Sequence, residues 1–342
     1  MNLADHTTIG LGGPARRFVR AGTEDGLIEA VRAADARAEP VLILGGGSNL
    51  VVADEGFDGT VIQVATRGVQ SAGPGLLTVA AGEEWDAVVA ATIAAGLSGL
   101  ECLSGIPGLV GATPIQNVGA YGQEVAQVIT GVRVYDRKNQ KINFMPNERC
   151  DFGYRTSVFK GVPGHVVLGV TFRLACDPLS APVGYAELAS ALGIGVGERA
   201  KCAEVRSTVL ELRRRKGMVI DPADPDTRSV GSFFVNPVLD AAALARVKAI
   251  AAADGEQVPR FPAPDGMVKV PAAWLIERAG FGKGYDPGNG ARISGKHTLA
   301  LVNSGSATTT DLIALARQIR DGVRDAFGVL LSPEPLLIGV TL

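Results

Sequence analysis

Residues 104–124, SGIPGLVGATPIQNVGAYGQE, place glycines at 105, 108, 111, 119 and 122 and prolines at 107 and 114, with Glu124 as the one charge. Gly and Pro penalise helix interiors, and they make poor central strands for the same reason. The segment is therefore expected to be irregular backbone. Glycines let main-chain N–H groups approach a ligand with no Cβ in the way, and successive free N–H groups form a nest for anions. Gly105, Gly108, Gly111, Gly119 and Gly122 suit a diphosphate or an electron-rich ring. A plain surface loop is the alternative, but such loops are polar, whereas Ile106, Leu109, Val110, Ile115 and Val118 point to a buried one.

The chain is 342 residues long, enough for two or three domains. With 33 basic and 35 acidic residues it carries a formal charge of −2, so no global field recruits nucleic acid or an anionic membrane. A small-molecule partner is expected, with no obligatory protein partner. The 44 glycines exceed the usual share of about 7% but cluster rather than repeat, which excludes collagen-like order. Cys102, Cys150, Cys176 and Cys202 are scattered without metal-type spacing to His6, His165 or His297, so reduced core thiols are expected and no metal site. Met1 to Asp5 lack a basic leader and no apolar run approaches about 18 residues, so a cytoplasmic protein is expected.

In chain order, a glycine-rich turn leads to a strand at Phe18-Val19-Arg20, and Glu24 to Ala36 read as a helix with Leu27, Ile28, Val31 and Ala34 on one face. VLILGGGSNLVV follows: a buried strand, the glycines Gly45 to Gly47, then Ser48 and Asn49 opening another strand. A glycine triplet alone is equally a ligand-free turn; the hydrogen-bonding side chains beside it favour a ligand. It lacks G-x-G-x-x-G opening a helix and the Lys-Ser/Thr of a P-loop, so two standard nucleotide folds drop out. Strands at 59–65 and 76–82, a helix over Trp85 to Ala95, and strands GVRVYD, KINFM and HVVLGVTFRL complete an α+β domain over 1–177. Pro178 to Pro182 mark a boundary. Beyond it a connecting segment, 178–217, holds a basic helix over Glu198 to Lys216, whose Arg213-Arg214-Arg215-Lys216 end suits phosphate or merely complements the helix dipole. A second domain, 218–342, has helices over Leu239 to Ala253, Ala272 to Ala279 and Thr310 to Phe327, and a last strand, LLSPEPLLIG, carrying Glu334 between two prolines.

Six stretches, LGGGSNL at 44–50, SGIPGLVGATPIQNVGAYG at 104–122, YRTSVFK at 154–160, GSFFVNP at 231–237, AAWLIERAGFGKG at 272–284 and SPE at 332–334, occur in an order that resembles the UDP-N-acetylenolpyruvoylglucosamine reductase family. Gln116-Asn117 and the Tyr185 segment resemble its longer subtype, in which a tyrosine-bearing loop folds over the substrate. The resemblance implies an FAD-binding domain of the vanillyl-alcohol-oxidase (PCMH) type followed by a smaller α+β substrate-binding domain. It implies two steps: NADPH reduces non-covalently held FAD, and hydride then passes to the enolpyruvyl ether of UDP-N-acetylglucosamine, giving UDP-N-acetylmuramate. FAD would be held by Leu44, Gly45, Gly46, Gly47, Ser48, Asn49 and Leu50, and by Ser104, Gly105, Ile106, Pro107, Gly108, Gly111, Ala112, Pro114, Gln116, Asn117, Gly119, Ala120, Tyr121 and Gly122.

Arg155, Ser232 and Glu334 are implied as the catalytic group, and Tyr121, Tyr185, Lys216, Asn236, Lys283 and His297 as substrate contacts. The residue types suit the chemistry. Hydride addition leaves negative charge spreading toward a carboxylate, which a fixed cation and a positioned acid stabilise. Arg155 offers a forked clamp; Glu334, if protonated, can share its proton with the enolate; Ser232 can protonate the other carbon if its geometry is tight. Taken singly, each also has a plain role: ion-pair partner, turn hydroxyl or surface carboxylate. Leu336 stands where the family often has arginine, and Lys283 is the candidate to compensate. The rival readings are another FAD oxidoreductase of the same fold and a non-catalytic flavin-binding module.

Overall fold

The structure, a computed structural model, describes residues 1–253 and 255–342. They form two compact units. The first holds Met1, residues 15–47 and residues 58–219; the second holds 2–14, 48–57 and 220–342. The segment 178–217 belongs to the first, and the chain crosses between the units at 1/2, 14/15, 47/48, 57/58 and 219/220.

In the first unit, Ala15–Ala21, Phe57–Val64 and Val41–Leu44 make a three-stranded sheet with Phe57–Val64 in the middle, and Val41–Leu44 lies parallel to it. The first helix, α1 (Glu24–Ala36), starts where Thr23 accepts a hydrogen bond from the Gly26 N–H, and it buries Leu27, Ile28, Val31 and Ala34 as its periodicity predicts. An antiparallel five-stranded sheet runs in the order Lys141–Pro146, Ile129–Asp136, His165–Arg173, Leu76–Ala80, Val69–Gly73. Its inner face and α2 (Trp85–Ala94) share a core around Trp85, Tyr135 and Phe172. Buried Trp85 donates its ring N–H to the Leu103 carbonyl, which ties α2 to the start of the glycine-rich stretch.

Two helices close this unit. The first, α3 (Ala186–Leu192), forms where a loop is expected, ending on Gly193 in the left-handed region at φ 71°. The other, α4 (Cys202–Arg215), begins four residues later than expected, because the Glu198 and Ala200 carbonyls accept from the Val183 and Ser180 N–H groups in a pairing with the segment before α3. Leu188 and Ala189 of α3 are buried with Val205, Val209 and Leu212 of α4.

The second unit centres on Ser229–Ser232, Ala300–Asn303 and Ala291–Ile293, an antiparallel sheet with Ala300–Asn303 in the middle. Its helices are α5 (Ala241–Ala253), α6 (Ala272–Arg278) and α7 (Thr309–Phe327), and its core gathers Phe233, Phe234, Leu275, Leu301, Leu312 and Ile319. Thr308 and Asp311 form a capping box at the start of α7. Of the run 330–339, only Leu336–Ile338 is a strand, since prolines at 333 and 335 deny ladder donors; it pairs in parallel with Leu50–Val52. Cys102, Cys150 and Cys202 are buried thiols, whereas Cys176, expected in the core, is exposed. Among the described residues no helix is long and apolar enough to cross a membrane, and no group of His, Cys, Asp and Glu is placed to hold a metal.

Candidate active site

In the first unit the two glycine turns meet. Leu44 ends its strand buried, and a Cβ on Gly46 would lie 2.9 Å from the Gly108 Cα, so glycine is required for the approach. A Cβ on Gly111 would come 2.5 Å from the Ala81 Cβ. Gly45 faces Ala112 and Leu109 at 3.9 Å. The Gly46 and Gly47 N–H groups find no acceptor among the described residues. A pair of free N–H groups on a turn with Gly47 at φ 64° is a donor set for an anion, so this cradle fits the diphosphate of a dinucleotide such as FAD.

The second turn is braced from behind. Ser104 is buried and donates to the Glu101 carbonyl at 2.7 Å, and the Gly105 N–H donates to Asp86 Oδ1 at 2.6 Å. The same carboxylate takes a forked pair from Arg206, at 2.6 and 2.9 Å. Sequence reasoning passed over both residues; an aspartate in the first turn of α2, just before the glycine-rich stretch, is the signal that would have found Asp86. Ile106, Pro107 and Gln116 are half-buried, Pro114 is buried and Ala112 is exposed. The Asn117 amide donates to Glu124 at 2.8 Å and to the Gly153 carbonyl at 3.0 Å, and its oxygen accepts from the Ala126 N–H. It is a staple within the chain, held at φ 47°.

Gly119–Ala120 and Gln123–Glu124 pair across a two-residue turn. Tyr121 and Gly122, at φ 49° and 83°, give it the backbone that hairpins of this length prefer. Arg155, itself at φ 56°, donates to the Gly119 carbonyl at 2.7 Å, while Lys160 donates to the Arg155 carbonyl at 2.9 Å. A non-glycine residue held there is strain of the kind that collects at functional sites.

Three expected substrate contacts come together beside this hairpin. Tyr185 meets the Tyr121 ring edge-on at 5.5 Å, and Lys216 Nζ stands 5.8 Å from the centre of the Tyr121 ring. Burial pushes the Tyr121 hydroxyl up to about 12, so it stays protonated as a donor. Nearby, Arg213 donates to the Met218 carbonyl, while its buried Nε has no partner among the described residues. Burial pulls its guanidinium down to about 10, still charged at neutral pH.

The second unit pairs the backbone at Glu334 with the residue that follows Ser232. Residues 233–235 bond to 332–334: the Glu334 N–H donates to the Phe233 carbonyl at 2.8 Å and the Val235 N–H to the Ser332 carbonyl at 3.1 Å. Buried Phe233 and Phe234 pin this pairing, and both Ser232 and Glu334 are half-buried. Asn49 joins them: its carbonyl accepts from Leu336 at 3.0 Å, and its amide reaches the Glu334 carbonyl at 3.5 Å. Ser48 is half-buried and Leu50 buried in the same unit. Asn236 Oδ1 accepts from the Ala272 N–H at 2.9 Å, at the start of α6. His297 sits on a turn organised by Ser294, whose hydroxyl donates to buried Asp226 at 2.9 Å and accepts from the His297 N–H. Lys283 and Leu336 are both exposed.

Two family models match the chain: "FAD binding domain" over residues 15–142, and "UDP-N-acetylenolpyruvoylglucosamine reductase, C-terminal domain" over residues 222–338. UDP-N-acetylenolpyruvoylglucosamine reductase of Thermobifida fusca is 55% identical over 347 residues, covering 99% of this chain and 97% of that protein. Its counterpart in Saccharopolyspora erythraea is 56% identical over 349 residues, covering 99% and 95%. The crystal structure of UDP-N-acetylenolpyruvylglucosamine reductase from Thermus caldophilus aligns over 99% of this chain and 97% of its own, at 27% identity and a TM-score of 0.66.

Proposed function

The chain belongs to the UDP-N-acetylenolpyruvoylglucosamine reductase family, FAD-dependent oxidoreductases of peptidoglycan precursor synthesis that use NADPH, and from that premise we propose how its residues divide the work. The observation that carries the proposal is the backbone pairing of 233–235 with 332–334, which ties the Glu334 backbone to Phe233, the residue after Ser232. Bound FAD supplies the hydride that it has received from NADPH. The nest at Gly45 to Gly47 and the stretch 104–122 hold that cofactor without a covalent tether.

Arg155 clamps the carboxylate of the enolpyruvyl group through its fork. Its anchor on the Gly119 carbonyl fixes the cation before charge develops, so little reorganisation is needed as the enolate forms. Glu334 hydrogen-bonds that enolate, and Ser232 delivers the proton to the carbon bearing the ether oxygen. Tyr121, Tyr185, Lys216, Asn236, Lys283 and His297 bind the sugar nucleotide, with Lys216 on its diphosphate. A charged sugar nucleotide crosses no bilayer unaided, which favours a cytoplasmic site of action. Overlapping sites for NADPH and substrate would give ping-pong kinetics.

Ser232→Ala tests the assignment. With NADPH its FAD should bleach at near-normal rate, and in anaerobic single turnover the substrate should reoxidise it about a hundredfold more slowly, the scale of a lost general acid. Ser232→Cys, with a donor of similar shape, should recover part of the rate. Wild-type reoxidation in Ser232→Ala would transfer the proton to Glu334 or water.

A further inference from the structure

The first turn of α3 and the last turn of α4 converge on one cation. Lys216 follows Arg215, the final residue of α4, and its ammonium donates to Glu187 Oε2 at 2.8 Å. Glu187 lies in the first turn of α3, two residues beyond Tyr185, whose ring meets Tyr121. The carboxylate is held there by more than the ion pair. Leu188 and Ala189 are buried against Val205, Val209 and Leu212, so α3 cannot swing clear of Lys216 without exposing that cluster. Both side chains of the pair are partly open to water, at 33% for Lys216 and 40% for Glu187.

A carboxylate and a phosphate present an ammonium with the same thing, anionic oxygens at hydrogen-bond distance. The chain itself therefore satisfies Lys216 with an internal anion. Resting on the reading that Lys216 takes the substrate diphosphate, we propose that Glu187 sets the affinity of the site: every sugar nucleotide must displace its carboxylate from Lys216. Substrate and product carry the same diphosphate, so this competition weakens both. Weaker capture of product favours its departure, and weaker capture of substrate limits blockage of the oxidised enzyme ahead of NADPH. Glu187 is thus a positioning residue that acts through Lys216.

The test is calorimetric binding of UDP to the FAD-loaded protein in wild type, Glu187→Gln, Lys216→Gln and the double variant, each checked for flavin content and melting temperature. A half-exposed ion pair is worth little, so Glu187→Gln should bind UDP about two- to fivefold more tightly. Lys216→Gln should bind it more weakly, and the double variant should match Lys216→Gln, because without the lysine there is nothing to compete for. Inhibition by excess enolpyruvyl substrate should set in at correspondingly lower concentration in Glu187→Gln. If Lys216→Gln binds UDP as wild type does, the diphosphate reading of Lys216 has failed. If Lys216→Gln weakens binding but Glu187→Gln does not tighten it, that reading stands and this proposal falls. Tightening that persists in the double variant also overturns it, since Glu187 would then repel the ligand directly.

Discussion

Replacing Asp86 with alanine should loosen the glycine-rich stretch from behind, with no change to any residue proposed to touch a ligand. Its carboxylate holds the Gly105 N–H at 2.6 Å and the Arg206 fork at 2.6 and 2.9 Å. Burial pushes this carboxyl up, but the hydrogen bonds from Arg206 and Gly105, with the charges of Arg206 and Arg213, outweigh that and hold it below the usual carboxylate range. Breaking a fully buried pair costs about 3–5 kcal/mol. Asp86 is 38% exposed and Arg206 20%, so solvent recovers part of that, leaving about 2–3 kcal/mol. At roughly 2–4 °C per kcal/mol for a unit of this size, the melting temperature should fall by about 5–10 °C. Because the folded carboxyl lies below its unfolded value, the contribution is complete above the unfolded pKa of about 4 and fades as pH falls through the folded one. The gap between wild type and variant should narrow in acid accordingly. Thermal unfolding by circular dichroism from about pH 3 to 8, with flavin content measured alongside, checks both parts. Asp86→Ala with wild-type melting and full flavin would refute the bracing role.

Three further outcomes follow from the geometry. Gly46→Val should purify colourless, since its side chain would enter space held by the Gly108 backbone at 2.9 Å, and a normal ratio of flavin to protein absorbance would remove that turn from the cofactor site. Asp54→Ala should cost about 0.5–2 kcal/mol in denaturant unfolding, because Asp54 accepts the N–H groups of Thr309 and Thr310, at 2.7 and 2.9 Å, at the start of α7; an unchanged midpoint would refute that cap. A thiol reagent should modify Cys176 fast in the native protein and all four cysteines after denaturation, so rapid modification of a second native thiol would contradict the burial of Cys102, Cys150 and Cys202.

What was legible in the sequence was local. The α1 face, the buried strand before Gly45 and the long amphipathic α7 each follow from spacing of apolar residues within one element. The glycine-rich stretch was readable as irregular backbone for the same reason. The α3 helix was not, because its seven residues carry no strong signal and its stability comes from packing Leu188 and Ala189 onto α4. Nor was the union of Asn49 with Glu334, residues 285 positions apart, joined by the parallel pairing of Leu50–Val52 with Leu336–Ile338. Motifs named Asn117 as a ligand contact, and the structure adds what no motif shows, three side-chain hydrogen bonds that brace the loop. Asp86 and Arg206 show the converse: neither stands in a motif, yet together they hold one.

Asn236 lets that distinction be tested within one side chain. Its oxygen is committed to the Ala272 N–H at 2.9 Å, so on the proposed reading of Asn236 as a substrate contact the amide nitrogen is the group that donates to the ligand. Asn236→Asp keeps the acceptor, and a carboxylate at the start of a helix is if anything favourable, so the fold should hold. The other end of the group changes from donor to anion. Facing a diphosphate, that exchange loses a charge-assisted hydrogen bond of about 1.5–3 kcal/mol and adds repulsion, so UDP binding should weaken by at least about tenfold. Asn236→Ala separates the terms from the other side: it forfeits the bond to Ala272, lowering stability by about 1 kcal/mol, and loses binding without the repulsion. Asn236→Asp should therefore be the more stable of the two variants and the poorer binder. Calorimetric titration of UDP beside urea unfolding gives both orders, and if Asn236→Asp binds UDP as wild type does, the nitrogen does not face the ligand and Asn236 is a helix brace alone.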